Sequence, residues 1–255
     1  MKRIAVAGAT GVVGRLVVEA VRAAGDEAVP ISRSGGVDVT RAEGLAAAID
    51  GCDAVVDVTS IGTLQTGAAI EFFATATGNL LAAERDAGVP HHVALSIVGA
   101  AESTSGYYAG KAEQERLVMA ADERWSLLRA TQFHEFAAQT LARGRTLGVY
   151  LAPKMRCRPV AAAEVAAALA GIAAGEPAGL VPDLAGPSIE RMADLMRRLL
   201  RARGERGPVL EVRLPGSMGR ILADGRLIPG PEAMLGRESF DEWLVAQRQE
   251  GAASA

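Results

Sequence analysis

The sequence predicts an α/β fold with a doubly wound parallel sheet, in which helices cover both faces. Short apolar runs with strand character alternate with segments of helical period, as expected when crossover helices join parallel strands. The runs are apolar almost throughout, which is typical of strands buried on both faces. The strand patterns are Ile4–Ala7, Ala28–Ile31, Ala54–Val58, His92–Ser96 and Ser126–Ala130, and the helical patterns between them are Glu43–Ile49, Ala68–Ala87 and Lys111–Ala121.

The first strand pattern runs directly into a glycine-rich turn and then into an amphipathic segment of helical spacing. The N–H groups in the first turn of a helix bind phosphate groups, and glycines let a ligand approach them closely. We therefore predict that this turn binds the phosphates of a dinucleotide. The residues expected to contact it are Gly8, Thr10, Gly11, Val12, Val13 and Gly14.

The regular alternation of strand and helix patterns ends after the fifth strand pattern. Loops are expected as far as Met155 and again from Pro208 to Leu235, where Gly216 and Gly219 are interpreted as loop residues. Two S/T-x-x-E capping boxes are predicted to open helices, and they pair Thr40 with Glu43 and Ser239 with Glu242. The predicted helices and strand of this part are Ala161–Ala174, Leu180–Val181 as a short strand, and Ser188–Arg201.

These patterns predict a nucleotide-binding core and a smaller lobe. The core comprises residues 1–134, rejoined by about 158–184, and the lobe comprises residues 135–157 and 185–255. Ligands bind at the carboxyl ends of the strands in such sheets, so the lobe is expected to lie on the substrate side.

Composition narrows the class of partner. The chain has 255 residues, of which 49% are hydrophobic and 22% charged, and this is enough to bury a sizeable core. A formal net charge of -3 argues against nucleic acid or an anionic membrane as partner, so we expect a small-molecule substrate. No run approaches the length of about 18 apolar residues that a spanning helix needs.

We expect a cytoplasmic protein that is a monomer or a homodimer. The apolar stretch after Met1 is interrupted by glycines and is better explained by a strand and a helix than by a signal peptide. Cys52 and Cys157 form no pattern typical of a metal site, so no metal is expected.

The second strand pattern ends in Ser32, Arg33 and Ser34. An NAD-preferring site normally has an acidic residue there to bind the ribose hydroxyls, whereas an arginine pairs with a 2′-phosphate. We therefore predict NADP(H) as the cofactor, with Ser32 and Ser34 as additional donors. The alternative is a solvated arginine in a polar turn.

Tyr107 and Lys111 have a spacing that places both side chains on one face of a helix. A phenol with a pKa of about 10 is a poor acid-base group at neutral pH. A neighbouring ammonium favours the phenolate, so the two side chains together are suited to acid-base chemistry. Thr59 and Ser60 follow the third strand pattern and are expected to contact the cofactor, and Ser96 lies at the end of the fourth.

The sequence resembles the NmrA-like atypical short-chain dehydrogenase/reductases, which bind NAD(P)H on a Rossmann fold. The resemblance covers essentially the whole chain and rests on GxxGxxG at Gly8–Gly14, YxxxK at Tyr107–Lys111, and the segment LRATQFHEF at Leu128–Phe136. Arg158-Pro159-Val160 with the following helix also resembles the family.

The resemblance implies that Tyr107 donates a proton, that Lys111 lowers the Tyr107 pKa and binds the nicotinamide ribose, and that a serine completes the site. Ser96, Ser103 and Ser105 are candidates for that serine, and Tyr108 is an alternative to Tyr107.

The resemblance also implies that Asp38 and Val39 contact the adenine. Asp38 alternatively initiates the turn before Thr40. Gln132, Phe133 and His134 are expected to face the substrate, although a lone histidine is more often a hydrogen-bonded structural residue.

The predicted function is an NADP(H)-dependent oxidoreductase that transfers a hydride between the nicotinamide and a small carbonyl or quinone-like substrate. The alternative is a non-catalytic NADP(H)-binding redox sensor of the NmrA type. A nucleotide-sugar epimerase is a third hypothesis, but the chain is short for that lobe.

Overall fold

A computed structural model describes residues 1–122 and 124–253. The helices are α1 Val12–Ala23, α2 Leu45–Ile49, α3 Thr66–Ala87, α4 Gly106–Met119, α5 Glu135–Arg143, α6 Ala162–Ala174, α7 Met192–Ala202, α8 Gly216–Ala223 and α9 Phe240–Ala253. The strands are β1 Arg3–Ala7, β2 Glu27–Ile31, β3 Ala54–Asp57, β4 His92–Ile97, β5 Trp125–Ala130, β6 Arg145–Thr146, β7 Val149–Pro153, β8 Arg156–Cys157, β9 Gly179–Leu180, β10 Leu184–Ala185, β11 Glu190–Arg191, β12 Val209–Val212 and β13 Met234–Leu235.

The first compact unit comprises residues 1–129 and 162–182 and contains a sheet in the order β2-β1-β3-β4-β5, with β9 beside β5. β1 pairs in parallel with both β2 and β3, and β3 pairs in parallel with β4. One helical layer is formed by α1 and α6, and the other by α2, α3 and α4. The predicted doubly wound α/β fold is confirmed.

The α3–α4 contact depends on Gly110. A Cβ atom at this position would lie 2.6 Å from Cδ2 of Phe73 and 2.7 Å from the carbonyl oxygen of Ala69. Both of these residues are fully buried on α3. The two helices therefore approach closely at a position where only glycine fits, and this approach brings the start of α4 onto Phe73.

The second unit comprises residues 130–161 and 183–255, and its described part combines α5, α7, α8 and α9 with short strands. β7 pairs in parallel with β12 and antiparallel with β6. β8 pairs with β11, and β10 pairs with β13. None of the helices in either unit, over the described ranges, is long and apolar enough to cross a membrane.

The capping-box predictions have opposite outcomes. Ser239 and Glu242 bond reciprocally at the start of α9, with the Glu242 N–H donating to Ser239 Oγ and the Ser239 N–H to Glu242 Oε2. The Thr40 box is wrong, because the Thr40 hydroxyl and N–H donate to Asp38 instead and α2 begins only at Leu45.

Two further segments differ from the prediction of loops. α5 forms within the expected loop-rich stretch, and it buries Ala137 and Leu141 one turn apart. Helix α8 begins at Gly216, where a loop was expected; a Cβ atom at Gly219 would lie 1.8 Å from the carbonyl oxygen of Leu214. Short helices like these carry too few periodic positions to stand out from irregular sequence.

A buried ion pair links α3 to β4. Glu84 Oε1 and His92 Nδ1 are 2.8 Å apart, and both side chains are almost fully buried. Burial alone lowers the pKa of His92, but the charge and hydrogen bond of Glu84 outweigh it, so the pKa of His92 lies above its usual value of 6.5. Burial also raises the pKa of Glu84, so the pair holds on to one proton.

Replacing Glu84 with glutamine tests this pair. A histidine whose pKa is raised by folding stabilises the fold fully below its unfolded pKa, and the stabilisation is lost as the pH rises through the folded pKa. We expect the unfolding midpoint of Glu84→Gln to lie well below that of the wild type near pH 6 and to approach it near pH 9.

Thermal unfolding at both pH values measures the gap. Glu113→Gln is the matched control, because Glu113 pairs with Arg116 on the surface of α4 and its removal is expected to cost little at either pH. A gap for Glu84→Gln that does not change with pH would contradict the assignment of the proton to this pair.

Candidate functional site

The glycine turn between β1 and α1 forms a tight cradle. Gly8 has a φ of +87°, and a Cβ atom at Gly14 would lie only 2.1 Å from the Gly8 carbonyl oxygen. Gly11 is the N-cap of α1. Thr10, Gly11 and Val12 are exposed, whereas Val13 and Gly14 are buried.

This arrangement fits a pyrophosphate. The backbone of the exposed residues is open to a ligand, and the first N–H groups of α1 have no partner within their own helix. The helix dipole adds a partial positive charge at the same place. Of the predicted roles, the tight turn at Gly8 and the close packing at Gly14 are confirmed by the geometry, and the phosphate contacts themselves stay a prediction.

Arg33 follows β2 and begins a short 3-10 turn, Arg33–Gly35. Its side chain is exposed, and the Ser32 hydroxyl caps this turn by accepting the Gly35 N–H at 3.1 Å. The Ser32 and Ser34 hydroxyls bond each other at 3.2 Å. Arg33 therefore lies on a turn that is capped by Ser32, and the Ser32 hydroxyl is already used by the backbone.

A concave pocket with a volume of about 330 Å³ lies beside Arg33. Arg41 lines it together with Arg33, and the acidic residues Asp38 and Glu43 line it as well. Sequence reasoning missed Arg41, although a second arginine so close to Arg33 in the chain was a usable signal.

Asp38 is held in a turn. Its Oδ1 accepts the Thr40 N–H at 2.9 Å and the Thr40 hydroxyl at 2.8 Å, and these bonds hold its pKa below the usual value. The turn-initiating interpretation of Asp38 is confirmed, and the adenine contact stays a prediction. Val39 is buried, and its carbonyl accepts a bond from Asn79 on α3 at 3.0 Å.

The Tyr107 hydroxyl is paired with Ser60, a residue that was predicted to contact the cofactor. Ser60 Oγ lies 2.9 Å from Tyr107 Oη, and the Tyr107 ring meets Phe73 edge-on at 5.4 Å between centroids. Burial raises the pKa of Tyr107, although the Ser60 bond acts in the opposite direction. The pKa of Tyr107 is thus raised and not lowered, and the expected influence of Lys111 on it stays a prediction.

The Lys111 ammonium is bound by oxygen atoms of the protein. Its side chain is 3% exposed, and its ammonium donates to the Leu95 carbonyl at 2.9 Å and to Gln114 Oε1 at 2.8 Å. It also lies 4.5 Å from the centre of the Phe73 ring, so it shares this neighbour with Tyr107 as the helical spacing predicts. Burial lowers the pKa of Lys111 to about 8. Its contact with a ribose stays a prediction.

The three serines that were candidate partners of Tyr107 have other environments. Ser96 is buried, and its hydroxyl has no hydrogen-bond partner in the part of the chain that the structure describes. Ser103 donates to the carbonyl of Ser105 in a local turn. The hydroxyl that bonds Tyr107 is that of Ser60, and the catalytic role of Ser96 stays a prediction.

A buried polar network lies beneath this loop and was not predicted. Gln114 Nε2 donates to Asp57 Oδ2 at 2.8 Å, and Asp57 Oδ1 accepts both the N–H and the hydroxyl of Thr59. Thr59 was expected to contact the cofactor, but its hydroxyl is used within the protein. An aspartate inside the apolar β3 run was the available signal for the network.

In the second unit, the segment that contains Gln132, Phe133 and His134 is tied to Val160. The Val160 N–H donates to the Gln132 carbonyl, and the His134 N–H donates to the Val160 carbonyl. His134 is buried, donates from Nε2 to the Glu238 carbonyl at 3.2 Å, and packs against Phe240 and Trp243. This is the environment of a structural histidine, and the substrate contacts of the three residues stay predictions.

The sequence profile of a protein family described as NAD(P)H-binding matches residues 35–175, which is more than half of the chain. A search of curated proteins found no match.

Solved structures share the fold. An NADPH-dependent quinone oxidoreductase from Escherichia coli in complex with NADPH is 20% identical, with a TM-score of 0.71 and coverage of 96% of this chain and 99% of that chain. A Citrobacter sp. triphenylmethane reductase complexed with NADP(H) is 18% identical, with a TM-score of 0.72 and the same coverage. A UDP-N-acetylglucosamine 4-epimerase from Bacillus cereus is 17% identical, with a TM-score of 0.71 and coverage of 98% and 97%.

Two glycine substitutions separate packing from ligand approach in the turn. We expect Gly14→Ala to lower the free energy of unfolding by about 1–3 kcal/mol, because its Cβ atom overlaps the Gly8 backbone. Gly11→Ala is expected to cost less, since its Cβ atom would lie 3.2 Å from the Gly8 carbonyl oxygen. Both are expected to weaken NADPH binding.

Chemical denaturation and NADPH fluorescence titration measure the two effects. Gly78→Ala is the matched control, because a Cβ atom at this exposed position on α3 meets nothing within 4 Å. A Gly14→Ala variant as stable as Gly11→Ala would show that α1 is not held against the turn in this way.

Proposed function

Because the chain belongs to the NAD(P)H-binding family, we propose that it is an NADP(H)-dependent oxidoreductase acting on a small carbonyl or quinone-like substrate. The observation that carries the proposal is the Ser60–Tyr107 hydroxyl pair, which joins the loop after β3 to the start of α4. In this fold the carboxyl ends of the strands form the ligand-binding edge of the sheet.

Tyr107 is the proposed proton donor. Its raised pKa keeps the phenol protonated at neutral pH, which is the form that a donor needs. NADPH would supply a hydride to the substrate carbon, and the phenol would supply the proton to the oxygen. The exposed Ser60 hydroxyl connects the phenol to solvent, so the phenolate formed by the transfer can regain its proton.

The substrate class is supported by similar folds. Two of the solved structures are a quinone oxidoreductase and a triphenylmethane reductase, and both are described with NADPH or NADP(H). Both reactions that these names describe are reductions of small organic molecules.

The proposed preference for NADP(H) over NAD(H) rests on Arg33 and Arg41. Two arginines that line one concave pocket suit a 2′-phosphate, which carries more negative charge than a hydroxyl. The turn after β2 carries serine and arginine where an acidic residue would bind a free ribose hydroxyl.

A non-catalytic NADP(H)-binding sensor is the second candidate, and the environment of Lys111 favours it. The ammonium donates to the Leu95 carbonyl and to Gln114 Oε1, and the pKa of Tyr107 is raised rather than lowered. Under this alternative the protein binds NADPH but does not oxidise it.

Tyr107→Phe tests the catalytic proposal. Loss of general acid catalysis typically costs 10²- to 10⁴-fold, so we expect kcat for quinone or carbonyl reduction to fall by about 100-fold. The Kd for NADPH is expected to change little. NADPH oxidation at 340 nm across a panel of quinones and carbonyl compounds measures kcat, and Tyr108→Phe is the neighbouring control.

Two results would count against the enzyme. A wild-type protein that binds NADPH but oxidises it with no compound of the panel would support the sensor. A Tyr107→Phe variant with full kcat would remove the phenol from the mechanism.

Arg33→Ala tests the cofactor preference. Loss of a charge-assisted hydrogen bond costs about 1.5–3 kcal/mol, so we expect NADPH to bind roughly 10- to 100-fold more weakly while NADH binding stays nearly constant. Isothermal titration with both cofactors measures the difference. Arg41→Ala is expected to act in the same direction, and Arg22→Ala, on the last turn of α1, is the control. Equal weakening of both cofactors would contradict a phosphate role.

A further inference from the structure

Gln114 joins two buried charges of opposite sign. It is fully buried on α4, its amide oxygen accepts a bond from the Lys111 ammonium at 2.8 Å, and its amide nitrogen donates to Asp57 Oδ2 at 2.8 Å. An ammonium has only donors and a carboxylate only acceptors, so this is the one orientation of the amide that satisfies both. The side chain therefore acts as a fixed spacer within an ion pair.

Asp57, which is held by Gln114, in turn binds the loop after β3. It is the last residue of β3 and fully buried, and its Oδ1 accepts the Thr59 N–H at 2.9 Å and the Thr59 hydroxyl at 2.6 Å. A carboxylate that accepts bonds from the residue two positions ahead fixes the intervening backbone. The next residue is Ser60, whose hydroxyl bonds Tyr107.

The two contacts with the segment from Asp57 to Ser60 come from one helix. Tyr107, Lys111 and Gln114 lie on α4 at spacings of four and three residues, which place them on one face. α4 therefore holds the segment from Asp57 to Ser60 at a buried point, through Gln114, and at a surface point, through Tyr107.

We propose that Gln114 is a positioning residue that holds Ser60 in bonding distance of the Tyr107 hydroxyl, acting through Asp57 and Thr59. Its catalytic meaning rests on the proposed function, in which Tyr107 donates the proton. Without the buried attachment, the loop is held to α4 here by an exposed bond between two hydroxyls, which competes with water.

An exchange of the amide and the carboxylate tests this proposal. Gln114→Glu alone places two carboxylates against each other. Asp57→Asn alone leaves two amide groups facing each other, where the wild type has an amide that donates to a carboxylate. The double variant places the carboxylate beside Lys111 and the amide beneath Thr59, so every hydrogen bond of the network can form again. The three variants form a double-mutant cycle.

The readout is the Tyr107 phenol itself. The chain has three tyrosines, so ¹³Cζ-labelled tyrosine gives few NMR signals, and Tyr107→Phe assigns the one of interest. Ser60→Ala gives the chemical shift and the titration of a phenol that has lost its serine. We expect both single variants to move the Tyr107 signal most of the way to that reference, and the double variant to return it to the wild-type position.

The kinetic expectation is parallel. With a quinone that the wild type reduces, kcat is expected to fall roughly tenfold in each single variant and to recover in the double variant, while the Kd for NADPH stays nearly constant. The NMR readout needs no turnover. A protein that proves to be a sensor would therefore still show whether Gln114 positions the pair.

Val118→Ala controls for general destabilisation, because Val118 is buried on the same helix among Ala94 and Leu127. It is expected to lower the unfolding midpoint and to leave the Tyr107 signal in place. Single variants that lose stability but keep the wild-type Tyr107 signal would overturn the proposal, and so would a Val118→Ala variant that shifts the signal equally.

Two variants of Thr59, which change no charge, test the same proposal if the charge variants do not fold. Thr59→Val removes one of the two bonds to Asp57 and is expected to shift the Tyr107 signal in the direction of Ser60→Ala, whereas Thr59→Ser keeps the hydroxyl and is expected not to. Equal signals in these two variants would overturn the proposal.

Discussion

The Asp57 carboxylate is fully buried at the end of β3, so its charge has to be balanced inside the protein. Three donors balance it: the N–H and hydroxyl of Thr59 and the amide of Gln114, which in turn binds the Lys111 ammonium. Because these groups come from β3, the loop after it and α4, one requirement of electrostatics fixes the relative positions of three parts of the candidate site. The Ser60–Tyr107 bond is a consequence of that arrangement.

Close backbone approach is the second constraint, and it acts on both helical layers. At Gly14 α1 approaches the backbone of the turn that follows β1, and at Gly110 α4 approaches α3. In both places a single methyl group would overlap backbone atoms or a fixed ring. The first approach shapes the turn that fits a pyrophosphate, and the second brings Tyr107 and Lys111 onto Phe73. The two halves of the candidate site thus depend on the same kind of contact.

The fold and the local spacing were predictable, and the long-range polar partners were not. Alternating apolar runs predicted β1 to β5 to within one residue at each end, and the spacing of Tyr107 and Lys111 correctly placed both on one face of a helix. Spacing says nothing about what lies opposite that face, so the partners Ser60 and Gln114 were missed. The false capping box at Thr40 has a local cause, since Asp38, two residues before Thr40, offered a nearer acceptor than Glu43.

The Lys111 ammonium is expected to act on Tyr107 and on the ribose of a ligand, but it also balances a buried charge of the protein. A cation that balances an internal carboxylate is held by protein oxygens in a medium of low dielectric, where moving it would leave Asp57 uncompensated. Any contact of Lys111 with a nicotinamide ribose therefore has to be made with these bonds in place. The Ser60 hydroxyl bonds Tyr107 directly, and this bond acts against the rise in the Tyr107 pKa that burial causes. The network beneath the loop contributes to the chemistry by keeping that hydroxyl in place.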